Sequence, residues 1–227
     1  SELYATDIAK KNDRLTIGNL DLKPEKNDYF SLSAEYVHER FSVSVNAFYN
    51  NIRDMIDYNT IATGDKAMEQ YGHKEVRQRD NIAEAKVHGI NVSANAYLGA
   101  GFNLSGGYTH LNTQDVELEQ PIDKSIKNAY NINAQWAHSW KIYRLNINLN
   151  GRFNSKRFSK SYGYAPEYQL WDLNTRHSFN LKSVIIEPGC GMENLFDYTD
   201  DRPYNSNYAT LTPGRSFYIS LSLKFKS

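Results

Sequence analysis

The chain has 227 residues, with 26 Lys and Arg balanced by 26 Asp and Glu, so nothing in its net charge draws it toward nucleic acid or an acidic surface. Aromatic residues make up 13% of it, too many for a disordered segment, yet mean hydropathy is −0.66. No run of about 20 apolar residues is present to form a membrane-spanning helix.

Taken in order, the chain alternates apolar and polar residues with a period of two, the mark of a strand whose two faces meet different surroundings. Residues 29–38 give a weak first strand. Phe41, Val43, Val45, Ala47 and Tyr49 alternate with Ser42, Ser44, Asn46 and Asn50. After a polar connection at about residues 59–79, Ile90, Val92, Ala94, Ala96 and Leu98 oppose Asn91, Ser93 and Asn95. Phe102, Leu104, Gly106 and Tyr108 follow, set against Asn103, Ser105 and Thr109. Beyond residues 112–127, Tyr130, Ile132, Ala134 and Trp136 alternate with Asn131, Asn133 and Gln135. Tyr143, Leu145, Ile147, Leu149 and Phe153 then alternate with Arg144, Asn146, Asn148, Asn150 and Arg152. Weaker strands are predicted at residues 169–181 and 184–195, and Phe217, Ile219, Leu221, Leu223 and Phe225 give a clean last one. No apolar stripe at helical spacing is long enough to predict a helix. The expected class is therefore all-β and antiparallel, with about nine strands.

The connections separate two architectures that share this pattern. Glu39-Arg40, Gly99-Ala100-Gly101, Trp140-Lys141-Ile142 and Lys182-Ser183 are tight turns, whereas residues 59–79, 112–127, 154–167 and 198–214 are long, polar and aromatic. Short and long connections alternate, as they do in bacterial outer-membrane barrels with periplasmic turns and extracellular loops. Strands of about 11 residues, at roughly 3.3 Å each and tilted by about 45°, cover the lipid-facing band of roughly 25 Å. Aromatics near strand ends, among them Tyr29, Phe30, Phe41, Tyr97, Trp136, Trp140, Tyr143, Trp171, Phe217 and Phe225, suit the interfacial girdles of such a barrel. In this reading Val, Ile and Leu face lipid, and Ser, Asn, Gln, Arg and Lys face a polar lumen.

Three boxes then carry a resemblance. Gly18-Asn19-Leu20-Asp21-Leu22-Lys23-Pro24-Glu25, Glu193-Asn194-Leu195-Phe196-Asp197-Tyr198, and Pro213-Gly214-Arg215 ahead of the last alternating run resemble the GNxxLKPE, ENLFD and PGR segments of TonB-dependent outer-membrane receptors. Ser1-Glu2-Leu3-Tyr4 resembles the tail of a segment just upstream of the first box. The resemblance implies a partial transmembrane β-barrel, with residues 1–227 as the C-terminal portion of a barrel of about 22 strands. It also implies an N-terminal plug, absent from this chain, that engages the TonB complex. One departure is that Lys226-Ser227 follow Phe225, where the family usually ends on Phe. The boxes also have mechanical readings: Pro24 belongs before a strand, Pro213-Gly214 forms a turn, and Glu193, Asn194 and Asp197 pair inside the lumen or cap a turn.

No catalytic constellation is present, so no enzyme activity and no cofactor are expected. The six histidines, His38, His73, His88, His110, His138 and His177, show no metal-ligand spacing. Cys190 is the single cysteine, which excludes an internal disulfide and a multi-cysteine metal site. Asp200-Asp201 reads as a solvated loop tip. Ligand capture is assigned to two basic, aromatic loop clusters: Tyr71, His73, Lys74, Arg77 and Arg79 in one, Lys156, Arg157, Lys160, Tyr162 and Tyr164 in the other. Cations beside rings suit an anionic, ring-bearing ligand such as a ferric siderophore. Haem receptors of the resembled family carry a His just before the GN box, and none occurs in residues 1–18, which disfavours haem. The resemblance thus implies TonB-energised uptake of a metal complex or cofactor, with a ferric siderophore ahead of cobalamin and haem. The expected partners are outer-membrane lipid, that ligand and, through the plug, TonB, with no nucleic acid. A passive porin-like or adhesin-like barrel and a soluble carbohydrate-binding or hydrolytic β-sandwich are the alternatives.

Overall fold

The computed structural model describes residues 9–11, 13–200 and 209–226. The chain runs β1 (Ala9–Lys11), β2 (Arg14–Ile17), β3 (Lys26–His38), β4 (Phe41–Thr63), α1 (Gly64–Tyr71), β5 (Glu75–Gly99), β6 (Phe102–Asp115), β7 (Asn128–Trp140), β8 (Tyr143–Asn154), β9 (Arg157–Ser159), β10 (Gly163–Ala165), β11 (Tyr168–Asn180), β12 (Val184–Glu193) and β13 (Ser216–Phe225). Nine of these, β3 to β8 and β11 to β13, are long strands joined in chain order within one 11-stranded sheet. β1 and β2 attach to β5, and β9 pairs with β10 in a separate hairpin.

Two expectations need correction. A helix does occur: α1 interrupts the connection expected at residues 59–79, and its eight residues make about two turns, too few for a helical stripe to stand out. It stops at Gly72, whose φ of 70° turns the chain and whose N–H donates to the Met68 carbonyl at 2.9 Å. Second, β4 and β5 are 23 and 25 residues long rather than about 11, so they continue well into the region read as loop. The residues resembling an upstream segment, 1–4, lie outside the described residues, as do residues 201–208 of the last long connection, Asp201 among them, and Ser227.

The chain divides into two units. The tip unit comprises the described residues up to Phe30, with Tyr49–Val87 and Thr113–Pro121. It has a small hydrophobic core of Leu15, Ala67 and Val76, with Ile17, Ala62 and Tyr71 packed around it. β2 runs parallel to the start of β5, Leu15 opposite Val76, which brings the two strand residues of that core together.

The wall unit comprises Ser31–Phe48, His88–Asn112 and the described residues from Ile122 on. Its register keeps the two predicted faces apart. Leu104 pairs with Ala134, Ala134 with Leu149, and Leu149 with Leu173; one residue along, Asn133 pairs with Asn150 and Asn150 with Asp172. The separation continues to the last strand, where Pro188 faces Leu221 and Gly189 faces Ser220. A slip of one residue would exchange every side chain between faces, so the alternation itself fixes this pairing.

Aromatic rows form in the wall, but of the residues expected in them Trp136, Trp140 and Tyr143 take part, whereas Trp171 stands in the middle of the apolar face opposite Gly151. At the short-turn end, Phe102, Trp136, Trp140, Tyr143 and Phe179 follow one another with centroid distances of 5.0–6.1 Å. His138 lies against Trp140, and Tyr143 Oη hydrogen-bonds His177 Nδ1 at 2.7 Å. Toward the long connections Tyr108 stacks on Tyr130 at 4.6 Å, and Tyr130 meets Phe153 at 5.5 Å. Ten residues separate Tyr130 from Trp140 on β7, roughly 33 Å of strand, which at the usual tilt spans a lipid band of roughly 25 Å.

Candidate functional site

In the tip unit the first box acts as a clamp. Lys23 N–H donates to Asn81 Oδ1 at 2.7 Å, while Asn81 Nδ2 donates to the carbonyls of Lys23 and Asp54 at 2.9 and 2.6 Å. Glu25 Oε1 accepts the Ile56 N–H at 2.8 Å, and Leu22 is buried. One amide side chain thus ties the segment before β3 to both β4 and β5. The box here organises backbone.

The first basic cluster is built on this frame. Tyr71 closes α1 and packs against the core. Arg77 Nε lies 2.5 Å from Glu75 Oε1, and Arg14 Nε reaches the other oxygen at 2.8 Å. Hydrogen bonds from Arg14 and then Arg77 hold the Glu75 carboxyl below its ordinary value of 4.5. Arg79 lies over the Tyr58 ring at 5.5 Å, Lys74 pairs with Asp13 at 3.2 Å, and His73 is half-buried. Among the named candidates in this cluster, Tyr71, Arg77 and Arg79 already have partners within the tip.

The second cluster belongs to the wall unit. β9 and β10 pair from Arg157 opposite Ala165 to Ser159 opposite Gly163, which leaves Lys160 and Tyr162 at the hairpin apex. Lys124 N–H donates to the Phe158 carbonyl at 2.8 Å, Phe158 N–H to the Ser125 carbonyl at 3.0 Å, and Lys160 N–H to Asp123 Oδ1 at 2.9 Å. Arg157 is half-buried and bridges to Ile126 through the backbone. Tyr162 and Tyr164 are each 54% exposed, and Tyr164 meets Phe158 edge-on at 5.3 Å. This cluster presents rings and lysines outward on a short, braced support.

The polar face of the wall holds a feature that single-residue reasoning passed over. Asn133, Asn148 and Asn150 form a hydrogen-bonded chain, with Gln135 and Asn174 beside it in register. Tyr218 Oη donates to Asn174 Oδ1, and its ring lies over Gly191. Next to them a recess of about 300 Å³ is lined by Gln135, Asn146, Asn148, Asn174, Arg176 and Tyr218 among others. The signal was available, since the polar set of β8 consists of Asn and Arg alone. Neutral amides present donors and acceptors together, so the field offers hydrogen bonds to many partners, with Arg176 adding positive charge beside them.

The other two boxes interlock. Asn194 is buried with φ 52°, exchanges two hydrogen bonds with the Tyr198 backbone at 2.7 and 2.9 Å, and donates its N–H to Asp172 Oδ1 at 2.9 Å. Asp197 Oδ1 accepts the Arg215 N–H at 2.8 Å. Gly214, at φ 101°, lets the chain pass so close that an added Cβ would stand 3.1 Å from that oxygen. Of the two placements open to Glu193, Asn194 and Asp197, turn capping is the one observed for Asn194 and Asp197. Among the described residues no group of three His, Cys, Asp or Glu side chains gathers for a metal.

Comparison with known proteins bears on this arrangement. A family model described as "TonB dependent receptor-like, beta-barrel" matches residues 1–195. The chain is 28% identical over 163 residues to the probable TonB-dependent siderophore receptor PiuA of Acinetobacter baumannii, covering 64% of this chain and 21% of that protein. Among solved structures it resembles the siderophore receptor PirA of A. baumannii, with a TM-score of 0.69 at 19% identity over 93% of this chain and 33% of that one. It also resembles BauA, the ferric preacinetobactin receptor of the same species, with a TM-score of 0.67 at 18% identity over 89% and 30%. The chain therefore spans about a fifth of that curated relative and about a third of those structures.

Proposed function

Because this chain belongs to the TonB-dependent receptor β-barrel family, whose members reside in the bacterial outer membrane, we propose that it supplies wall and loops to a receptor for ferric siderophores. The reading takes the chain as the C-terminal part of the barrel, on the strength of the interlocked ENLFD and PGR boxes leading into β13. Long connections capture the chelate, TonB acts through a plug encoded elsewhere in the receptor, and the released chelate moves along the polar face.

The observation that carries this reading is the register-locked pair of faces, apolar on one side and amide-rich on the other, across β6 to β13. Such a face offers many weak, interchangeable hydrogen bonds, which favours passage over retention. Exposed Tyr162 and Tyr164, with Lys160 beside Tyr162 at the hairpin apex, favour an anionic ligand with aromatic or chelate rings. Arg77, Arg79 and Tyr71 serve first to shape the tip, and half-buried His73 and exposed Lys74 are the members of that cluster left for direct contact.

The test uses the full-length receptor in outer membranes, with radio-iron loaded on a panel of siderophores and with haemin and cobalamin as competitors. Saturable binding of a ferric siderophore, uptake abolished when the proton-motive force is collapsed, and several-fold weaker binding by a Tyr162→Ala/Tyr164→Ala variant are expected. Uptake indifferent to the proton-motive force would favour a passive barrel. Binding of haemin or cobalamin alone would overturn the siderophore reading.

A further inference from the structure

The carboxylates on the polar face of β11 and β12 all have partners. Glu187 Oε2 lies 2.6 Å from Lys224 Nζ and its other oxygen accepts from Ser178 Oγ at 3.4 Å, Asp172 Oδ1 accepts the Asn194 N–H at 2.9 Å, and Glu193 Oε2 accepts from Ser216 Oγ at 3.1 Å. Arg176 on the same face has none. Its exposed guanidinium makes neither a hydrogen bond nor an ion pair among the described residues. The register sets Arg176 between Asn146 of β8 and Gly189 of β12, with Ser220 of β13 beyond the glycine. An added Cβ at Gly189 would stand 2.8 Å from Ser220 Oγ, so the glycine keeps open the recess of about 300 Å³ beside the guanidinium.

The hydrogen bonds around this recess run in one direction. Asn133 Nδ2 donates to Asn150 Oδ1 and Asn150 Nδ2 to Asn148 Oδ1, so the chain ends at Asn148 with the oxygen engaged and Nδ2 left over. Tyr218 Oη engages Asn174 Oδ1 in the same way and leaves Asn174 Nδ2. Both amides line the recess, and neither Nδ2 has an acceptor among the described residues. A free amide is donor and acceptor in equal measure, but on these two the acceptor is already used, and each donor is polarised by the bond behind it. The recess therefore presents N–H groups beside one full positive charge. Asn146 and Gln135, also in its lining, have unengaged side chains that can turn their N–H groups to the same point.

We propose that this recess is a carboxylate site on the polar face, and that it receives a free carboxylate on an arm of the siderophore after the chelate has left the loops; this role rests on the siderophore reading above. A carboxylate brings two oxygens in one plane, which a planar guanidinium and the neighbouring amide N–H groups meet together. Neutral oxygens of a chelate gain nothing here that the rest of the amide field does not offer. The volume lies at the small end of ligand pockets, so it admits an arm and leaves the iron centre outside. Arg176 thus sorts chelates by a group remote from the metal, at a step that follows capture.

Crystals of the full-length receptor soaked in 4-bromobenzoate read the site directly, with 4-bromobenzamide as the neutral counterpart. A bromine anomalous signal beside Arg176 is expected with the acid and not with the amide. It should be several-fold weaker in Arg176→Gln, and also in Asn146→Asp, whose carboxylate would engage the guanidinium opposite it. Radio-iron uptake by cells carrying the full-length receptor reads the role. Hydroxamate siderophores with a free carboxylate should enter several-fold more slowly through Arg176→Gln, their methyl esters at the wild-type rate, and surface binding of both should stay unchanged, which certifies the fold. No bromine signal, a signal indifferent to Arg176→Gln, a plug side chain seated on Arg176, or equal slowing of acids and esters would overturn the proposal. Should no siderophore enter wild-type cells, the siderophore reading fails, and the bromine signal still decides the site.

Discussion

The tip and the wall use the same residue types under opposite rules. In the tip, Leu15, Ala67 and Val76 withdraw from solvent and the polar groups around them are paired, as in a water-soluble domain. In the wall, Ile219 is 87% exposed and Leu221 66%, and they continue an apolar face built across β6, β7, β8, β11, β12 and β13. In water such a face would be an aggregation surface; in a bilayer it is the contact with solvent. Exposure of an apolar side chain is thus a cost in one region and a requirement in the other. A substitution can be scored only after asking which solvent its side chain meets.

The sharpest way to break this contrast is a charge on the lipid face. Leu149→Arg is expected to cost up to about 4 kcal/mol in denaturant titrations of the full-length receptor folded into vesicles, while Asn148→Arg, its neighbour on the polar face, should cost little. Equal costs would dissolve the two-face assignment. Next in size, Leu15→Ala should open the tip by about 3 kcal/mol, seen as faster amide exchange there with wall amides unchanged, because the lost side chain belongs to a separate core. Asn194→Ala removes a buried side chain bonded twice to the Tyr198 backbone and sits at positive φ. About 2 kcal/mol of local stability is expected to go, read as proteolytic nicking in the β12–β13 connection.

The smallest effect is a pH dependence confined to the tip. Glu75 has a folded-state pKa below 4.5, so its pairing with Arg14 and Arg77 stabilises the tip fully above about pH 4.5 and is lost as pH falls through the lowered value. Tip amide exchange, corrected for its intrinsic pH dependence, should accelerate in that window. A Glu75→Gln tip should be weaker at neutral pH and lack the transition.

How legible each region was follows from the same contrast. β6, β7, β8 and β13 were plain in the sequence because a face in lipid and a face in a polar lumen give the cleanest alternation a strand can have. The outer parts of β4 and β5 were hidden, since Asn59–Thr60 and Arg77–Gln78 meet no apolar solvent and alternate weakly. α1 was hidden by its brevity. β9 and β10, three residues each, fall below the length at which a period of two can be recognised. At the candidate site the residue types were visible but not their engagements. Arg14 and Glu75 are 61 positions apart, and no local pattern announces that pair or predicts that Arg77 will share it. The amide field was spelled out in Asn146, Asn148 and Asn150, yet only the register of β7, β8 and β11 makes it one surface.

The clasp between Asp197 and Arg215 has an evolutionary consequence. It joins the two ends of the last long connection, so β12 and β13 are aligned whatever lies between. Lengthening a closed loop costs only about 0.6 kcal/mol for each doubling. Beyond Tyr198, whose backbone holds Asn194, the segment between the clasp residues can therefore change in size at little cost to the strands beneath.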